Sequence, residues 1–143
     1  MTQYTIAAVM VHVGNVAEAF TWYERAFPGA ARKRVAGQDF EYFSVGAVSL
    51  ELVPSDAKVS SGASGSVVYW RVPDIETSLQ HFQSIGATLY RGPVMIEEGQ
   101  AMCQVRDPWG NCIGLRGPSR QMMRPLNQPP EPSIKIQPMK AEQ

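Results

Sequence analysis

Only two of the 143 residues are cysteine, Cys103 and Cys112. Two are too few for a disulfide scaffold. They flank a turn at Asp107-Pro108-Trp109-Gly110, and a hairpin closed there sets them about three positions out of register. At that offset their Cα atoms exceed the roughly 7 Å a disulfide spans. Both therefore read as reduced, and the compartment as cytoplasmic. Excess charge of one sign is also missing, with 13 Lys and Arg against 13 Asp and Glu. That balance excludes the basic stripe of a nucleic-acid binder and the polybasic patch of a membrane-surface protein. No apolar run approaches the roughly 20 residues of a membrane helix. The opening residues lack the basic region and small-residue cleavage site of a secretory leader, so none is expected.

What is present is ordinary globular composition, 44% apolar and 18% charged, at a length that suits one domain with its own core. Gly117 marks a boundary between a body, 1–117, and a tail, 118–143. The tail holds six of the 11 prolines and reads as extended or disordered, because such composition buries too little surface to fold alone. Its stretch 133–137 alternates and can add to a sheet edge.

Inside the body there is a repeat. Val13-Gly14-Asn15-Val16-Ala17-Glu18-Ala19-Phe20 is echoed by Val72-Pro73-Asp74-Ile75-Glu76-Thr77-Ser78-Leu79, offset by 59 residues. Each copy follows a β-branched run, at 7–13 and 66–72. Asn15 and Asp74 suit helix N-caps. Val16, Phe20, Tyr23 and Phe27 form one helical stripe, and Ile75, Leu79, Phe82 and Ile85 the other. Pro28-Gly29 and Gly86 stop the helices. Three strand-like stretches follow each helix, at 31–35, 40–45 and 47–53, then at 88–91, 101–106 and 111–115. The expected fold is α+β: two tandem βαβββ modules, about 5–54 and 66–117, forming a cleft between curled mixed sheets with the helices outside.

The paired pattern, the stretch V-G-N-V-A-E-A-F-T-W-Y-E and the late D-P-W-G-N-C-I-G-L resemble the vicinal oxygen chelate superfamily. That superfamily includes glyoxalases, extradiol dioxygenases, fosfomycin-modifying enzymes and bleomycin-resistance proteins. The resemblance covers about residues 5–117. It implies a homodimer and one divalent ion held by residues on equivalent strands. Registered on the helix caps, the ligand positions are Ala8, Val67, Glu51 and Gly114. Only Glu51 carries a donor, and one carboxylate does not retain a catalytic ion. The expected protein therefore has no metal cofactor.

Alternation along the strands gives one purely apolar set of faces and one mixed set: Met10, His12, Ser49, Glu51, Tyr69, Arg71, Cys112 and Arg116. The mixed set resembles a ligand pocket. Arg71 and Arg116 can clamp a carboxylate or phosphate, with Met10, Ser49, Tyr69 and Cys112 as further ligand-binding residues. His12 and Glu51 are candidate catalytic residues, an acid/base pair if they meet within about 3 Å. Against this, Glu51 can simply pair with an arginine, and His12 can be a solvated rim residue. Packing or solvation also accounts for His81, Trp22 and Trp109. Phe40, Tyr42 and Phe43 either wall a ligand or fill the core. Gly62-Ala63-Ser64-Gly65 lacks the Lys-Ser/Thr of a phosphate loop.

Three functions remain. The first is a metal-free small-molecule binder of the bleomycin-resistance kind. The second is a lyase, isomerase or transferase using His12 and Glu51 or a displaced metal site. The third is an interaction module working through the tail.

Overall fold

The computed structural model describes residues 5–97, 99–123 and 137–138. The chain divides after Ser61 into two compact units. Each is a βαβββ module.

In the first, β1 (Ala8–Val13) leads into α1 (Val16–Ala26), then β2 (Ala31–Arg34), β3 (Glu41–Val45) and β4 (Val48–Pro54). The Asn15 side chain accepts from the Glu18 backbone N–H at 3.0 Å and so caps α1. This satisfies one of the donors a helix start leaves unpaired. The sheet order is β1-β4-β3-β2, with β1 parallel to β4 and the remaining pairs antiparallel. A first strand that returns beside the last one brings equivalent positions of β1 and β4 together. Ala8 faces Ser49, Met10 faces Glu51 and His12 faces Val53.

The helix covers one face of this sheet. Phe20 and Phe43 meet there at 5.2 Å between ring centroids, over Leu50 and Leu52, and all four side chains are buried. Arg32 lays its guanidinium 4.7 Å above the Phe20 ring. It shares the carboxylate of Glu41 with Arg34. Trp22, off the expected stripe, is 8% exposed and packs edge-on against Tyr23. It belongs to the core, because the buried side of α1 spans Ala19, Phe20, Trp22, Tyr23 and Ala26. A stripe that broad reflects a helix lying flat on a sheet.

The second unit repeats the plan with β5 (Tyr69–Arg71), α2 (Ile75–Ser84), β6 (Thr88–Glu97), β7 (Gln100–Arg106) and β8 (Cys112–Pro118). Asp74 caps α2 by accepting from Thr77 at 2.8 Å, and Ile75, Leu79 and Phe82 are its buried apolar residues. The helix ends before Gly86, whose φ of +99° suits glycine. The order is β5-β8-β7-β6-β9, where β9 (Gln137–Pro138) runs parallel to β6. Residues 133–136 of the stretch expected to add to a sheet edge lie outside the described residues, and Gln137 pairs with Val94.

Three boundaries differ from expectation, the first being β5, which starts at Tyr69 rather than at 66. β6 reaches Glu97 rather than stopping at Arg91, because register shifts after Leu89, Arg91 and Met95 break the alternation without ending the strand. β8 continues through Gly117 to Pro118, followed by a short helix α3 (Arg120–Met123). The start of the supposed tail is held by Glu76, which is fully buried. Its carboxylate accepts from the Ser119 hydroxyl at 2.8 Å and the Arg120 backbone N–H at 2.7 Å. Arg120 also pairs with Asp74 at 3.1 Å. Among the described residues no helix is long and apolar enough to cross a membrane.

Candidate functional site

In each unit the sheet face turned away from its own helix, the far face, carries the residues singled out in the sequence. They are described module by module.

On the first module, the β1–β4 register sets Met10 beside Glu51, and Ala8 beside Ser49. Met10 is 53% exposed, high for so large an apolar side chain. The Ser49 hydroxyl donates to Glu51 Oε2 at 3.0 Å. Ser44 faces Ser49 across β3–β4, and Lys33 faces Tyr42 across β2–β3, so both join the same face. His12 shares it but faces Val53, two positions along from Glu51. The register therefore makes His12 and Glu51 diagonal neighbours rather than a direct pair. The positive charge His12 can carry adds a little to what holds the Asp56 carboxyl below its usual range. The larger causes there are the backbone N–H groups of Val59 and Lys58 bonded to that carboxylate. Of the three aromatics at 40–43, Phe43 is core, while Phe40 and Tyr42 stack at 6.3 Å.

On the second module the same face is built differently. Tyr69 lies beside Gly114 and Arg71 beside Arg116. The Tyr69 ring rests directly on Gly114: a Cβ there would stand 2.5 Å from Tyr69 Cδ1. Arg116 places its guanidinium 5.0 Å above that ring. The Tyr69 hydroxyl accepts from Gln104 Nε2 at 2.7 Å. The Cys112 thiol donates to Gln104 Oε1 at 3.2 Å. Gln104 thus ties two expected site residues together, although its own strand was not assigned to the site. The signal was available, since 100–106 alternates and its even positions fall beside Gly114 and Cys112.

Both thiols are free. Cys112 lies opposite Arg106, three residues from Cys103, in keeping with the expected offset. Burial pushes the Cys112 thiol above its usual range, against the opposing charges of Arg106 and Arg91. Burial, helped by the Glu76 charge, pushes Cys103 up to about 12.

The fold's metal positions were tested on these residues. Ala8, Val67 and Gly114 bear no donor, and the ring of Tyr69 fills the space a side chain at 114 would take. Among the described residues no three His, Cys, Asp or Glu are grouped so as to hold an ion. The donor set does not fit a divalent metal, for which three or more protein ligands are usual.

The sequence profile of the Glyoxalase/Bleomycin resistance protein/Dioxygenase superfamily matches residues 5–115. The chain belongs to that superfamily. Solved structures share the fold at low identity. Lactoylglutathione lyase from Agrobacterium tumefaciens is 16% identical, with a TM-score of 0.59 over 82% of this chain and 96% of that one. A glyoxalase/bleomycin resistance protein/dioxygenase family enzyme from Burkholderia phytofirmans PsJN is 15% identical, with a TM-score of 0.63 over 78% and 96%. The fosfomycin resistance protein FosX from Listeria monocytogenes is 6% identical, with a TM-score of 0.61 over 85% and 98%. No curated protein matches in sequence.

Proposed function

We propose that the chain binds a small molecule on a far face of its sheets, without a catalytic metal, as a cytoplasmic homodimer. One observation supports this most: the second module gathers Tyr69, Arg71, Gln104, Cys112 and Arg116 on one face, with all but Arg71 linked by hydrogen bonds and a ring contact and Arg71 beside Arg116 in the strand register. Polar groups converging over a partly apolar floor are the ordinary make-up of a ligand site. Met10, Ser49 and Glu51 contribute the corresponding face of the first module. Fold likeness supplies no reaction by itself.

The test is a thermal-shift panel on the full chain with neutral, cationic and anionic small molecules. A ligand at about 100 times its Kd adds roughly 2.7 kcal/mol. That raises Tm by about 8 °C for a chain of this size. Tyr69→Ala should abolish the shift. A panel that leaves the wild-type Tm unmoved throughout would overturn the binding reading.

A second reading, acid–base catalysis by His12 and Glu51, draws on their shared face and on the bond from Ser49 to Glu51. Recovery of the bound molecule decides between them. A binder returns it unchanged, whereas an enzyme returns a product, and His12→Ala would slow its formation by about a hundredfold or more.

A further inference from the structure

We infer that the far face of the second module is an oxyanion site, taking a carboxylate, phosphonate or phosphate group through Arg71, Arg116 and the Tyr69 hydroxyl. This rests on the binding reading above and adds the ligand's charge and chemistry.

The hydrogen-bond chain on this face runs one way. The Cys112 thiol donates to the Gln104 carbonyl, and the Gln104 amide donates to the Tyr69 oxygen. A hydroxyl that accepts from an amide keeps its own proton to give away. The chain therefore ends in a donor at Tyr69, with Arg116 directly above the ring. Cys112 stays a donor because burial raises its thiol above the usual range.

The charges agree with the donors. Arg71 and Arg116 stand side by side on neighbouring strands, and like charges so placed destabilise a sheet. Among the described residues neither has a carboxylate partner. Arg106 faces the same way, opposite Cys112, and both it and Arg91 act on the Cys112 thiol. Arg106 is partly occupied, bonding the Gly110 carbonyl at 2.9 Å and covering the Tyr90 ring. Glu97, which the register sets on this face, stands opposite Gln100. That is four positions along β7 from Gln104, roughly 13 Å at strand rise. Two arginines on paired strand positions beside a phenol donor can match an oxyanion's lone pairs, and the anion would relieve the repulsion between Arg71 and Arg116.

The test uses four probes of one shape: phenyl phosphate, benzoate, benzyl alcohol and benzylamine. Each is titrated into the full chain by calorimetry at fixed ionic strength. The first two should bind, the last two at least about tenfold more weakly. Preference between phenyl phosphate and benzoate identifies which oxyanion the site favours. Arg71→Gln, at an exposed position, should weaken the anions about tenfold, and Tyr69→Phe several-fold. Lys58→Gln, at an exposed position outside both sheets, should leave them unchanged. Equal binding of all four probes, or an equal loss in the Lys58 variant, would overturn the oxyanion assignment. Benzyl alcohol or benzylamine binding alone, lost in Tyr69→Phe, would overturn it too while leaving the binding reading standing.

Discussion

The two modules have one fold and two chemistries. Their registers correspond residue for residue: Met10 beside Glu51 in the first matches Tyr69 beside Gly114 in the second. His12 beside Val53 matches Arg71 beside Arg116. In the first module a small pair, Ser49 and Glu51, bonds to itself and leaves Met10 exposed. In the second, the loss of a side chain at 114 lets an aromatic ring lie flat on the backbone. That ring then becomes the support for Arg116 and the end of the chain through Gln104. A duplicated scaffold keeps the positions that build helix caps and core. It is free to exchange the residues on the face those elements do not use.

The sharpest difference lies on the helix side. Glu76 is fully buried, while its counterpart in the repeat, Ala17, is exposed. The Glu76 carboxylate holds Ser119 and Arg120, and removing it strands a buried hydroxyl. Glu76→Ala should cost about 3 kcal/mol, read as a fall of roughly 9 °C in Tm. Ala17→Glu should stay within about 0.5 kcal/mol, as an exposed helix substitution. Similar losses in both variants would mean that the carboxylate is a general feature of the helix start and not a latch for residues 119–120.

The repeat, both caps and the alternating faces were legible in the sequence because each is a local signal. Asn15 and Asp74 act within three residues. The β1–β4 and β5–β8 registers follow once the helices are aligned. Glu76 was not legible, since its partner Ser119 lies 43 residues away, and a carboxylate in a first helical turn is ordinarily solvated. Trp22 was missed because a narrow stripe was assumed where the sheet offers a broad surface. Gln104, Arg91 and Arg106 sit on middle strands, outside the first and last strands that the repeat picks out. The middle strands carry the far face as much as those do. The register shifts of β6 hid Arg91 further, since alternation fails across a bulge.

The exchange at 51 and 114 predicts a smaller effect. Gly114→Ala forces the Tyr69 ring to move, because three of its atoms would lie within 2.8 Å of the new Cβ. A ring can swing where a backbone cannot, so the cost should be about 2 kcal/mol. In a Tyr69→Ala background the same change should cost far less. The double-mutant cycle should therefore show a coupling of about 1 to 2 kcal/mol. Glu51→Gly, which opens the same space in the first module, has no ring to receive and should show no such coupling with Met10→Ala. Additivity at 69 and 114 would break the account of how the second module's face is supported.

The last difference concerns the thiols, and near neutral pH it has no effect on stability. Cys103 is buried, with its thiol pushed up to about 12. A group whose folded value is raised contributes its full stability below the unfolded value and loses it as pH climbs through the folded one. Between pH 9 and 12 the wild type should therefore lose stability relative to Cys103→Ala, by up to about 1.4 kcal/mol per pH unit. Below pH 9 the two slopes should coincide. Cys112 is raised by burial but opposed by Arg106 and Arg91. It should alkylate more slowly than a free thiol at pH 8, and faster than Cys103. Arg106→Gln removes an opposing charge and should slow Cys112 further. If that variant instead speeds the labelling, the arginine acts by covering the thiol rather than by its charge. The second module's face would then be shielded where the electrostatic account has it tuned.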